Sequence, residues 1–137
     1  MAENLEDLEK KFILNEDMEH EDIGSLTNRI LRFCKVDNKG FVIIEKMNLK
    51  IADKVMLVLS ARYLANRLQQ KLGKEPTISE VSNAGEIAKI LREKETIIAA
   101  RLNDLKIAKK IISPKRGIFK VASYEVEKFI KGIEENL

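Results

Sequence analysis

Glu86-Ile87-Ala88-Lys89-Ile90-Leu91, followed by the polar break Arg92-Glu93-Lys94-Glu95, is the stretch on which the fold turns. A second helical period starts at about Thr96 and holds Ile98, Leu102 and Leu105 at i, i+4 and i+7. Two apolar periods separated by so short a polar break predict two helices joined by a tight turn. Beyond them, Lys110-Ile111-Ile112 and Ile118-Phe119-Lys120-Val121 flank Ser113-Pro114-Lys115-Arg116-Gly117. Apolar β-formers on both sides of a Pro/Gly turn predict a hairpin with a basic tip.

The order helix, turn, helix, strand, basic tip, strand resembles the winged helix-turn-helix superfamily over residues 83–121, about a third of the chain. The resemblance implies that the second helix lies in the DNA major groove while the wing touches backbone or minor groove. With Ile98, Leu102 and Leu105 inward, a period of 3.6 turns Thr96, Ala100, Asn103, Asp104 and Ile107 outward, with Ile97 and Arg101 on one flank. The nucleic-acid-binding residues so implied are Lys94, Thr96, Arg101, Asn103, Lys106, Lys115 and Arg116. Asn103 has the chemistry to bond adenine bidentately, and Arg101 to meet guanine or phosphate. Lys115-Arg116 suit phosphate or an A·T-rich minor groove. The expected partner is double-stranded DNA or another nucleic acid. The same helix also presents Ile97, Ala100 and Ile107, an apolar set that suits docking on a protein partner instead.

Upstream, residues 1–24 read as an acidic lead-in in which Leu5, Leu8 and Phe12 make a helical stripe. Residues 25–137 read as a single domain. Its first part, 25–48, holds a short helix capped by Ser25 with Leu26, Ile30 and Phe33 turned inward. There follows a hairpin of Phe33-Cys34-Lys35-Val36 and Phe41-Val42-Ile43-Ile44 around Asp37-Asn38-Lys39-Gly40. Residues 49–122 would form the winged helix. They begin with a long helix, Leu49–Leu72, capped by Asn48 and apolar nearly all round in its middle turns, so it must be covered on two sides. Glu75-Pro76-Thr77 is a turn, Thr77-Ile78-Ser79 a candidate strand against the wing, and Asn83-x-x-Glu86 the favoured start of the next helix. Residues 123–137 read as a C-terminal helix capped by Ser123, with Val126, Phe129, Ile130, Ile133 and Leu137 in one stripe. The expected fold is mostly α with small β elements (α+β): a winged helix-turn-helix plus an N-terminal β-hairpin subdomain, sharing one long central helix. A homodimer through the C-terminal stripe or the excess apolar side of the long helix is a competing way to cover those faces.

Charge is distributed unevenly. Residues 1–24 carry nine acids against two lysines, a net of −7, whereas residues 25–122 carry 21 basic residues against nine acids, a net of +12. A field of that sign attracts nucleic acid or an acidic protein surface. Enzymatic readings are disfavoured. His20 is the only histidine and Cys34 the only cysteine, too few for acid–base machinery at neutral pH or for a zinc site. Phosphate-cradling glycine motifs are absent, so neither a cofactor nor a metal is expected. No apolar run approaches a membrane span, and the acidic N-terminus does not read as a signal peptide, so a cytoplasmic location without membrane contact is expected. The function these features suggest is a small DNA-binding transcriptional regulator, the alternative being a non-enzymatic adaptor.

Overall fold

The computed structural model describes residues 4–12, 20–45 and 48–136. In chain order these form α1 (Leu5–Phe12), α2 (His20–Ile30), β1 (Cys34–Val36), β2 (Val42–Ile44), α3 (Ile51–Lys71), α4 (Ala84–Leu91), α5 (Glu95–Ile107), β3 (Ile111–Lys115), β4 (Ile118–Val121) and α6 (Ser123–Glu134). The molecule is thus α+β, with six helices and two small antiparallel hairpins among the described residues.

Everything is built around α3. Each residue from Val55 to Leu64 is buried, nearly three full turns with no solvent face. Such a helix must be covered all round, and α2, β1, β2, α4, α5, β4 and α6 all pack on it. The expected inward positions of α2 and the first hairpin are met: Leu26, Ile30, Phe33, Cys34 and Val42 are buried. Strand alternation accounts for the hairpin, since Cys34 and Val42 face the core while Lys35 and Ile43 face solvent. Its turn is tied by Asp37, whose Oδ1 accepts from the backbone N–H of Lys39 and of Phe41, each at 2.9 Å. Gly40 closes it at φ +92°, the left-handed conformation expected for glycine there. Burial, and then the Glu45 carboxylate, push the Cys34 thiol up to about 12, which suits a small core hydrophobe and not a nucleophile.

Several local expectations are corrected. Asn48 does not cap α3; the N-cap is Lys50, with no side-chain bond, because the helix starts two residues later than its apolar pattern suggested. Ser25 is likewise no cap, since α2 begins at His20 and runs through Ser25 as an exposed interior position. Ser123 opens α6 from inside, buried, while Ala122 is the N-cap. The segment that pairs with the second hairpin is not Thr77-Ile78-Ser79 but Ser82, which exchanges two 2.8 Å backbone hydrogen bonds with Phe119. Residues 77–79 are taken up by α3 instead. Asn66 Nδ2 donates to the Ile78 carbonyl at 2.8 Å, and Gln69 Oε1 accepts from the N–H of Thr77 and of Ile78 at 3.0 and 3.2 Å. α6 packs back on α2 and α3, with Val126, Ile130 and Ile133 buried. Arg29 of α2 makes a two-pronged bond to Glu134 of α6, at 2.6 and 3.2 Å. Leu137, the end of the expected stripe, lies outside the described residues.

Candidate nucleic-acid interface

The candidate surface is assembled by α4, α5 and the second hairpin. α4 starts where expected: Asn83 Oδ1 accepts from the Glu86 N–H at 2.9 Å. The reciprocal half of a capping box is missing, because the Glu86 carboxylate is engaged by Arg62 and by the Ser82 hydroxyl. α4 stops at Arg92, which adopts the left-handed conformation at φ 57° and bonds its N–H back to the Ala88 carbonyl. That cap turns the chain sharply, and after Lys94 it re-enters a helix at Glu95, packed on α4.

α5 buries Ile98, Leu102 and Leu105 and leaves Thr96, Ala100, Asn103, Asp104 and Ile107 exposed, the division expected from its period. Ile107 is 72% exposed, and Ile97 stands at the margin of exposure. Lys94 and Lys106 are exposed near either end of the helix. Arg101 is half-buried and pairs with Asp104 at 3.0 Å, one turn along. This pair has two consequences. It engages Arg101 with a weak, solvent-exposed partner, and it offsets the carboxylate that Asp104 places on the outward face.

The chain leaves α5 through Lys109, at φ 62°, and enters β3. β3 and β4 pair antiparallel, Ile111 with Val121 and Ile112 with Lys120, then shift by one residue so that Lys115 faces Ile118. The extra residue makes a bulge around Ser113-Pro114. Proline has no N–H to give the ladder and is at home in such a break. The strand therefore reaches Lys115, and the tip reduces to Arg116-Gly117, with Gly117 at φ +78°. Lys115 and Arg116 are exposed at this tip. Among the described residues no carboxylate forms an ion pair with Lys94, Lys106, Lys115 or Arg116.

What holds this surface in place has little signature in the sequence. Arg62 of α3 is buried, donates from Nε to the Ser79 carbonyl at 2.8 Å, and pairs with Glu86. Glu80 receives Arg67 of α3 at 3.2 Å and Lys120 of β4 at 3.9 Å, tying the hairpin to the central helix through the intervening segment. A hint is that Arg62, Asn66 and Gln70 recur every four residues along α3 and so share one face of it. The His20 side chain lies outside the described residues. Among the described residues no group of three His, Cys, Asp or Glu is placed to hold a metal ion. None of their helices is long and apolar enough to cross a membrane. No protein-family model matches the chain, and no curated protein or solved structure is detectably similar to it.

Proposed function

We propose that residues 83–121 form a winged helix-turn-helix and that the chain binds double-stranded DNA, acting as a small regulator of transcription. The observation that carries this reading is the uncovered outward face of α5. Thr96, Ala100 and Asn103 stand in solvent between the cations Lys94 and Lys106, in a unit whose hairpin tip carries Lys115 and Arg116. Small and amide side chains allow close approach to base edges, while the lysines and the tip meet phosphate. The net +12 of residues 25–122 supplies the long-range attraction. Arg101, paired with Asp104 on the same face, keeps its place among the residues that meet the nucleic acid, since an exposed pair of this kind exchanges readily for a phosphate.

One observation favours a second reading. Ile107 is 72% exposed and shares the outward face with Ala100, beside Ile97, and apolar exposure of that kind suits a protein partner. Fluorescence anisotropy with a pool of labelled random-sequence duplexes at low salt separates the two. Binding that weakens steeply with added salt supports the DNA reading. No binding at low salt rejects it and leaves α5 as a docking face.

A further inference from the structure

Thr96, Ala100, Asn103 and Ile107 form one line along α5. At roughly 100° per residue they fall within an arc of about 60°. All four are exposed, Ile107 at 72%. Ile97 and Asp104 border the line on one side, Ala99 and Lys106 on the other. Thr96, Ala100 and Ile107 present methyl groups, and Asn103 presents an amide. No arginine or lysine stands on the line, and those are the side chains that most often pair with guanine. Asn103 also separates Ala100 from Ile107, which interrupts the continuous apolar patch that a protein partner would use. In the major groove an A·T pair offers a matching set, the C5-methyl of thymine beside the N6 donor and N7 acceptor of adenine. A G·C pair offers no methyl.

Resting on the reading of α5 as a major-groove helix, we propose that this line selects A·T pairs, with Thr96, Ala100 and Ile107 packing on thymine methyls while Asn103 bonds adenine. From Thr96 to Ile107 the helix rises about 16 Å, so the line reaches no more than about five base pairs at ~3.4 Å each. Lys94 and Lys106, exposed near either end of the helix, meet the phosphates that flank such a site. Asp104, the bordering group with the chemistry to accept from cytosine, is paired with Arg101 instead. The alkyl surface that Ile107 leaves in water is covered once a thymine methyl lies against it.

The test starts from the best site that the full chain selects from a random-sequence duplex pool. Thymines of that site are then replaced by uracil one at a time, which removes the methyl and leaves every hydrogen-bonding group in place. The selected site should hold a run of A·T pairs, and uracil at each contacted thymine should weaken binding about fourfold, the effect of exposing one buried methyl. Ile107→Ala should bind thymine and uracil duplexes alike at the step that Ile107 covers. Thr96→Ser, which removes only a methyl, should do the same at the other end of the site. Both positions are exposed, so both variants should keep the wild-type circular dichroism. Equal affinity for thymine and uracil duplexes, or a selected site of G·C pairs, overturns the methyl contacts and leaves the DNA reading standing. A uracil penalty that persists undiminished in both variants also overturns them, since duplex shape and not contact would then be its cause. Absence of duplex binding even at low salt overturns both the contacts and the DNA reading.

Discussion

The guanidinium of Arg62, on α3, donates to the carboxylate of Glu86, on α4, and this pair joins the central helix to the first helix of the candidate DNA-binding unit. The two partners sit in unlike surroundings. The Arg62 side chain is 5% exposed and that of Glu86 45%. Arg62 also bonds the Ser79 carbonyl, and its guanidinium lies against Gly40, within 3.4 Å of where a Cβ would stand. One side chain therefore meets the tip of the first hairpin, the segment before α4, and α4 itself. Arg62→Ala is expected to cost about 2–3 kcal/mol, because the Glu86 carboxylate and the Ser79 carbonyl lose a charge-assisted donor and the buried stem loses its packing. Glu86→Gln should cost only about 1 kcal/mol, since water reaches that carboxylate and the amide oxygen still accepts. Urea denaturation checks the order. Equal destabilisation by the two substitutions would show that the guanidinium is not the hub.

Core truncation should follow burial along α3 more closely than residue type. Leu64 is fully buried, whereas Leu68, four residues on, is half-buried where the helix emerges beyond its covering elements. Leu64→Ala should destabilise by about 2–5 kcal/mol, the range for truncation in a packed interior. Leu68→Ala should cost less than half as much in the same denaturation experiment. A destabilisation below about half a kcal/mol for Leu64→Ala would contradict a helix enclosed on all sides.

Much of this packing is legible in the sequence. The buried run of α3, the inward residues of α2, the first hairpin and the Ile98, Leu102, Leu105 stripe of α5 are all visible as periodicity, because one apolar face dictates where each residue points. The Asn83 start of α4 is legible for a second reason, since a capping side chain acts within three residues of itself. What stays hidden depends on distant partners. Asn48, Ser25 and Ser123 are capable caps by type, yet each helix starts where tertiary packing allows. Thr77-Ile78-Ser79 has strand-like residues, but Asn66 and Gln69 claim its backbone groups and Ser82 takes the place beside Phe119. At the candidate site the outward set of α5 follows from its period. The Arg101–Asp104 pair does not, because a flank residue can swing to either side.

Acid should loosen the molecule at two identifiable joints. The bond from Arg29 holds the Glu134 carboxyl below its usual range, and backbone N–H donors, Phe41 first and Lys39 second, do the same for Asp37. A carboxylate whose folded pKa is depressed contributes stability that is fully present above its unfolded value, near 4, and lost as pH falls through the folded value. Arg29, raised chiefly by its bond to Glu134, adds no dependence until far into alkali. The melting temperature should therefore hold from pH 7 to about 5 and fall below that. Glu134→Gln should shallow the fall while changing stability little at pH 7, both groups being open to solvent screening. An acid limb as steep as that of the wild type would show that the α2–α6 bond contributes nothing in solution.

The DNA reading divides the candidate residues into two classes that different measurements separate. Lys115 and Arg116 lie at an exposed tip and can meet only backbone or a minor groove, so they should contribute a roughly sequence-independent, electrostatic part of affinity. Replacing both with alanine should weaken binding to all duplexes alike and flatten the dependence of log affinity on log salt, by about one unit for each phosphate no longer neutralised. Asn103 is uncharged and central on the outward face of α5. Asn103→Ala should alter which sequence is selected from a random pool while leaving the salt slope nearly intact. Neither change should shift the urea midpoint appreciably, because none of the three side chains packs in the core. Arg101→Ala supplies the contrast. It frees Asp104 on the outward face, so duplex binding should weaken through repulsion. Restored binding in Arg101→Ala/Asp104→Asn would assign the weakening to the freed carboxylate. Binding that stays weak in that double variant would mean that Arg101 opens from Asp104 and meets the nucleic acid directly.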